Sequence, residues 1–159
     1  MKELAISGIA GLGNEELTSL APFLNTNRTL RSLDLTGATF TSDAIHELRP
    51  FFSLNTSLEV LALGENPCIG DEGVHVLVAS LLQSSGSVQV LAMDSCGIGN
   101  DGVASISNFM CHHHHTGGTS LRVLELSRNY IGDYGAQILA DAILRGHHRL
   151  EPLQSAQAG

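Results

Sequence analysis

The segment SLEVLALGEN, Ser57–Asn66, decides the fold, because SLRVLELSRN, Ser120–Asn129, repeats its pattern further along the chain. In both segments leucines stand three and then two residues apart, and an asparagine follows three residues later. Matching apolar residues mark six starting points that lie 28 to 33 residues apart: Met1, Leu30, Leu58, Val88, Leu121 and Leu150. A period of this length is typical of a solenoid, in which similar units stack side by side.

Each repeat contains two hydrophobic patterns in succession. The first, fourth and sixth positions, counted from the starting residue, are apolar and predict a short strand. Apolar or small residues then recur every four positions, which places them on one face of a helix. In the second to fifth repeats these residues are Ala44, Leu48 and Phe52; Gly73, Leu77 and Leu81; Gly102, Ile106 and Met110; and Gly135, Leu139 and Ile143. The sequence therefore predicts a strand, a turn, an amphipathic helix and a return loop in every repeat.

The turn after each strand carries residues that can bond to the backbone. Asn66 and Asn129, at the ninth position, are predicted to satisfy backbone groups where the strand turns away, with Cys96 as a weaker donor. A cysteine at this position is expected to be buried and inert. Asp or Asn near each helix start is predicted to cap the first turn, and the glycines that open the helical pattern are predicted to let helix and strand approach closely.

These strand and helix positions resemble those of the leucine-rich repeat proteins, in particular the ribonuclease-inhibitor-like subclass. The resemblance implies an α/β fold: a right-handed solenoid of about five repeats, with parallel strands on the concave face and helices on the convex face. It defines one domain, 1–153, with a partial repeat from residue 150, and leaves a tail, 154–159. Ile9 and Ala38 stand where the family usually has Asn or Cys, and Glu16 replaces a small residue, so we expect irregular first turns.

Composition narrows the classes of function. A formal net charge of -8 disfavours general nucleic-acid binding and favours a protein partner with basic or mixed charge. Three cysteines are too few for a disulfide framework, which suggests a reducing, cytoplasmic location. No apolar segment approaches the roughly 20 residues needed to span a bilayer, so we expect no membrane association.

Sites for metals, cofactors or catalysis are not predicted. The run CHHHHTGG, Cys111–Gly118, contains potential zinc, nickel or copper ligands, but adjacent histidines in a loop rarely converge on one ion. We interpret His112 to His115 as part of a solvated insertion, because the excess length of the fourth repeat falls there. No serine stands in a nucleophile elbow, and no histidine shares a register with a carboxylate and a nucleophile, so we expect no enzyme and no cofactor.

The exposed side of the sheet is the predicted partner-binding surface. Asp34, Glu59, Glu65, Asp94 and Glu125 are expected to form a broken acidic stripe, with arginines toward its flanks. The complete set of predicted partner-binding residues is Arg31, Asp34, Glu59, Glu65, Asp94, Arg122, Glu125 and Arg128. Such a surface would set the orientation and association rate of a partner more than its affinity.

The sequence thus predicts a noncatalytic protein-interaction scaffold within a larger chain or assembly. Two alternatives remain open. Because the activators of the GTPase Ran share this repeat type, one is a regulator of a small GTPase, on fold analogy alone. The other is the ligand-sensing domain of an innate-immune-type receptor, which would require flanking nucleotide-binding sequence. We also expect an end of the solenoid to be covered by further sequence, a second copy or a subunit of a complex, because an open core is a large apolar patch.

Overall fold

Five short parallel strands form one sheet in the computed structural model, which describes residues 2–8, 12–84, 87–112 and 121–146. The strands are β1 (Glu3–Ala5), β2 (Ser32–Asp34), β3 (Val60–Ala62), β4 (Val90–Ala92) and β5 (Val123–Glu125). They lie side by side in sequence order, and the fourth-position leucines pair directly with one another, as Leu33 does with Leu61. Consecutive strands are therefore neighbours in space, and the predicted strand register is confirmed.

Helices connect the strands and pack against one another in the order of the repeats. They are α1 (Asn14–Thr26), α2 (Ser42–Glu47), α3 (Arg49–Leu54), α4 (Gly70–Leu81), α5 (Asn100–His112) and α6 (Asp133–Gly146). The predicted helical positions Leu48, Leu77 and Ile106 are fully buried, because sheet and helices share one core. Met1, Ile9 and the predicted partial repeat from Leu150 lie outside the described residues.

The core is closed in the middle of the sheet and more open at its edges. Leu33, Leu61 and Leu91 are inaccessible to solvent, whereas Leu4 in β1 and Leu124 in β5 are only partly buried. A solenoid repeat contacts only its neighbours. Within the described part of the chain, β1 and β5 each have one neighbouring strand, so their side chains are less completely buried.

The second repeat differs from the prediction of a continuous helix. Its helical segment is divided into α2 and α3 around Leu48. Pro50 occupies the first turn of α3, where a missing N–H is tolerated, but it cannot continue the hydrogen-bond pattern of α2. Leu48, Phe51 and Phe52 are nevertheless buried, so the break redirects the backbone without exposing the apolar face.

The first helix begins with one half of a capping box, which explains Glu16. The backbone N–H of Gly13 donates to Glu16 Oε2 at 2.9 Å. This hydrogen bond and one from Glu16's own backbone lower the pKa of the carboxyl group. Glu16 therefore helps to start α1 rather than disturbing the repeat.

Asn66 connects two repeats, as the sequence predicts. Its side-chain nitrogen donates to the carbonyl of Leu35 in the preceding repeat at 3.0 Å and to that of Leu63 in its own repeat at 2.7 Å. Its Oδ1 accepts from the N–H of Phe40 at 2.9 Å. The bonds cross the boundary between the repeats, so the residue fixes how they stack.

The ninth-position residues of the next two repeats act in the same way. Asn129 donates to the Met93 carbonyl at 2.8 Å, and Cys96 Sγ donates to the Leu63 carbonyl at 3.1 Å. Asn129 also accepts from two backbone N–H groups of the preceding repeat, which a thiol cannot do as well. A chain of ninth-position side chains therefore joins the third, fourth and fifth repeats.

The helix starts form a second series of bonds between repeats, and here the predictions need correction. Asp71 Oδ1 accepts from the N–H of Gly99 at 2.6 Å, and Asn100 Oδ1 accepts from the N–H of Gly135 at 3.1 Å. These side chains satisfy the helix start of the following repeat rather than capping their own. A Cβ on Gly102 would meet Asp71 Oδ1 at 2.5 Å, so the glycine admits the neighbouring helix start and not a strand.

Candidate functional site

The centre of the open sheet face is apolar. At the third position of the repeats, Val60, Val90 and Val123 pair in register on adjacent strands, and all three are partly exposed. At the fifth position, Ala62 and Ala92 are neighbours and are partly exposed as well. The valines were not among the residues predicted for this face. The signal was available, because each precedes a buried core leucine and must point to the opposite side of the strand.

The eight predicted partner-binding residues surround this apolar centre in separate rows. Arg31, Glu59 and Arg122 occupy the second position; Asp34 and Glu125 the fifth; Asp94 the seventh; and Glu65 and Arg128 the eighth. The five carboxylates therefore do not share one row, and the predicted acidic stripe is distributed over the two ends of the strands.

Backbone hydrogen bonds align these rows beyond the strands themselves. At the second position, the N–H of Glu59 donates to the Arg31 carbonyl and that of Arg122 to the Gln89 carbonyl, both at 2.7 Å. At the other end, the N–H of Glu65 donates to the Asp94 carbonyl at 2.8 Å. The charged residues at both edges are thus held on an ordered backbone.

Two groups of charges form ion pairs within the chain. Arg31 Nη1 lies 3.1 Å from Glu59 Oε1 at the strand starts. At the strand ends, Arg128 Nη2 lies 2.6 Å from Asp94 Oδ2 and 3.7 Å from Glu65 Oε1. These contacts place Arg128 among the carboxylates rather than on their flank.

Arg122 and Glu125 form no ion pair with any residue in the described ranges. Both belong to the fifth repeat, where Glu125 lies in β5 beside Ala92 of β4. Together with Asp34, they are the predicted partner-binding residues that make no ion pair within these ranges.

An unusual backbone conformation positions the charges at the strand ends. The eighth position is left-handed in all five repeats, with φ of 66° at Gly8, 68° at Gly37, 59° at Glu65, 53° at Ser95 and 58° at Arg128. Residues with side chains rarely adopt this conformation, which costs roughly 1 to 2 kcal/mol per residue. The same conformation turns the chain away from the strand and presents Glu65 and Arg128 at the edge of the face.

Two kinds of reactive group can be assessed in the described residues: a thiol and potential metal ligands. Burial raises the pKa of the Cys96 thiol to about 11, so it remains protonated and unreactive at neutral pH. Within the described ranges, no three potential ligands cluster in a way that could hold a metal ion. The histidine run cannot be judged on this ground, because His113 to His115 and the side chain of His112 lie outside the described residues.

The helices that the structure describes lack the combination of length and hydropathy needed to cross a bilayer.

Comparison with known families identifies the repeats. The model of the family described as Leucine Rich repeat matches residues 26–45, 54–78, 86–107 and 119–140. These four segments contain strands β2 to β5. The matched residues make up more than half of the chain.

Individual relatives agree with the family match. The chain is 33% identical over 124 residues to human NACHT, LRR and PYD domains-containing protein 12, which covers 78% of the chain and 11% of that protein. It is 29% identical over 154 residues to pig ribonuclease inhibitor, covering 96% of the chain and 32% of the inhibitor. The chain therefore spans about a tenth and a third of the lengths of these two relatives.

Solved structures show the same fold at low sequence identity. The tropomodulin C-terminal domain of Caenorhabditis elegans superposes with a TM-score of 0.72 at 17% identity, covering 92% of this chain and 84% of that one. A leiomodin-1 domain superposes with a TM-score of 0.69 at 15% identity, covering 92% and 81%. With its five parallel strands, its helices and its similarity to ribonuclease inhibitor, the chain belongs to the leucine-rich repeat family and is ribonuclease-inhibitor-like.

Proposed function

We propose that this chain is a noncatalytic interaction module that binds a protein partner through the open face of its sheet. The observation that carries this proposal is the partly exposed row of Val60, Val90 and Val123. The core is filled from the other side by Leu61 and Leu91, which are fully buried. The valines therefore leave apolar surface in solvent that the fold itself does not cover.

The charges around the valines support a protein rather than a small molecule as the ligand. Interfaces between proteins combine an apolar centre with a polar rim, and this face has that arrangement. Its charged rim extends across strands β2 to β5, from Arg31 to Arg122 and from Asp34 to Glu125. A surface of this width exceeds the dimensions of a small-molecule pocket, and it is not enclosed.

The family relationship agrees with this proposal. The similar pig protein is named as an inhibitor of ribonuclease, and so acts on another protein. Regulation of a small GTPase remains a hypothesis from fold analogy, and no arrangement of described residues favours it.

Site-specific photo-cross-linking tests the proposed face. A photoreactive amino acid replaces Val90 in one variant and Leu144 in a control, since Leu144 is 75% exposed on α6. Each variant is incubated with cell extract and irradiated, and the adducts are identified by mass spectrometry. We expect a discrete protein adduct from position 90 that unlabelled protein competes away, and none from position 144. Equal adducts at the two positions, or none at position 90, would contradict the proposal.

A further inference from the structure

We propose that the open sheet face binds an amphipathic α-helix that crosses the strands, with a basic edge over the strand ends and an acidic edge over the strand starts. The inference rests on the function proposed above and specifies the partner of that face. It is carried by the spacing of the valines, the shape of the alanine row and the opposite charges of the two edges.

The spacing of the valines matches a helix better than an extended segment. Val60, Val90 and Val123 lie on successive paired strands, which places them about 4.8 Å apart. Helical residues three or four positions apart advance about 4.5 to 6 Å along the axis, so an apolar stripe stays in step with the valines. Same-face residues of an extended segment are about 6.6 Å apart and lose the register within two strands.

The fifth-position row forms a shallow trough beside the valines. Ala62 and Ala92 are short, and a carboxylate flanks them on each side, at Asp34 in β2 and Glu125 in β5, with Ala5 of β1 beyond Asp34. The trough therefore suits the larger apolar side chains of a partner, such as Leu or Met, which the chain does not itself provide there. Asp34 and Glu125 are three strands apart, or about 14 Å. Residues eleven positions apart lie three turns apart on the same side of a helix, about 16 Å apart along its axis. Two long basic side chains at that spacing would meet both carboxylates.

The two edges of the face have opposite net charge. At the strand starts, Arg31 and Arg122 outnumber Glu59. At the strand ends, the carboxylates outnumber the cation Arg128; they are Asp34, Glu65, Asp94 and Glu125.

Exposed pairs contribute little affinity but do select orientation. Turning the helix end for end exchanges its edges, so this polarity also sets the direction in which the helix lies.

A displayed peptide library tests the inference. The library holds helical peptides with a fixed leucine stripe and random residues at both edges, and binders are selected on the whole chain. We expect enrichment of Lys or Arg along one edge and Asp or Glu along the other, with two basic residues eleven positions apart. No enrichment, or enrichment of the same sign on both edges, would overturn the inference.

Direction and location provide the second readout. A photoreactive group at the N-terminus of a selected peptide should label either the second or the fifth repeat, and exchanging the peptide's edges should move the label to the opposite repeat. Val90→Asp should weaken binding at least tenfold, and Val90→Thr, which preserves shape, should weaken it severalfold. Phe23→Asp serves as the matched control, because Phe23 is 50% exposed on α1. Labelling of both repeats by one peptide would refute the proposed direction.

These outcomes separate the inference from the proposed function. A partner cross-linked at position 90, together with peptides that show no opposite edges, would leave the protein-binding face standing and remove the helix. Absence of any cross-linked partner at position 90 would remove the proposed function, whatever the library selects.

Discussion

Arg128 and Asp94 form the shortest ion pair on the open face, with 2.6 Å between Nη2 and Oδ2 across the boundary of the fourth and fifth repeats. The hydrogen bond to Asp94 raises the pKa of Arg128, and Glu65 adds to the effect from 3.7 Å. Gly64 makes the arrangement possible, because a Cβ at that position would run into the Asp94 carboxylate. The pair therefore neutralises part of the acidic charge at the strand ends, and a basic partner can bind to the carboxylate charge that remains.

Replacing Asp34, Asp94 and Glu125 together by Ala should weaken partner capture and reduce its dependence on salt. The thermal midpoint should change little, because exposed charges contribute little to stability. Capture of the cross-linked partner at low and high salt measures the effect. Arg128→Ala is the informative opposite change, since it frees Asp94 and Glu65 and should strengthen capture of a basic partner. Unchanged capture by the triple variant would show that these charges do not contribute.

Asn66→Ala should destabilise the chain by about 2 to 4 kcal/mol, because it leaves several buried backbone groups without partners. Asn66 is fully buried and bonds to the backbone at Leu35, Phe40, Leu63 and Gly64. Denaturant unfolding gives the free energy. Asn66→Cys should cost less than Asn66→Ala, because Cys96 shows that a thiol can reach the equivalent carbonyl of the preceding repeat. Equal losses for the two variants would mean that the bond between repeats contributes nothing.

Leucine-to-alanine changes should depend on the place of the strand in the sheet. Leu77→Ala and Leu91→Ala should cost about 2 to 5 kcal/mol, because both side chains are fully buried among packed neighbours. The leucine pattern alone predicts the same cost for Leu124→Ala. In the structure Leu124 is only partly buried, so we expect a loss below about 2 kcal/mol. Urea unfolding of the matched pair Leu91→Ala and Leu124→Ala tests this, and equal losses would show that β5 is as well covered as β4.

The sequence predicts the repeated units better than the contacts between them. Leucine spacing identifies all five strands, because the spacing reflects which side chains must be buried. The hydrogen bond from the N–H of Gly99 to Asp71 could not be predicted in this way, since it joins residues 28 apart in sequence and depends on how two repeats stack. The helix break at Pro50 had a visible signal, but the buried positions on either side of it keep the helical spacing.

The sequence predicted that the eight charged residues lie on the sheet face, but it predicted neither the valine row nor the arrangement of the charges. All eight charged residues lie on or beside the open face, yet the distribution of Glu65 and Asp94 depends on the left-handed turn after each strand. Glu65, Ser95 and Arg128 adopt that conformation although they are not glycines, so the residue types do not predict it. The repeat register, not local propensity, imposes the turn.

Cys96 should make stability fall at alkaline pH. Burial raises its pKa from 9.0 to about 11, so between these values the unfolded chain loses a proton that the folded chain retains. The stabilisation is fully present below about pH 9 and is lost as the pH rises toward 11, by an amount on the order of 2 kcal/mol.

Urea unfolding of the parent chain and Cys96→Ser at about pH 8 and about pH 10.5 isolates this effect, because the other titrating groups are common to both. The parent should lose more stability than the variant. A parallel pH dependence in the two proteins would show that the thiol ionises as freely in the fold as in the unfolded chain.

The last prediction concerns the left-handed eighth position. Ser95 has a φ of 53°, and a glycine there would avoid the strain of its Cβ while losing more conformational freedom on folding. We expect Ser95→Gly to stabilise the chain by up to about 1 kcal/mol, since the strain of roughly 1 to 2 kcal/mol exceeds the glycine penalty of roughly 0.5 to 1 kcal/mol. Ser127 provides the matched control in the next repeat, because it is a serine just before an eighth position and its own φ is not positive. Ser127→Gly should therefore destabilise by about 0.5 to 1 kcal/mol, and urea unfolding should give opposite signs for the two changes. A loss of stability in both variants would show that the turn after the strand is not strained at Ser95.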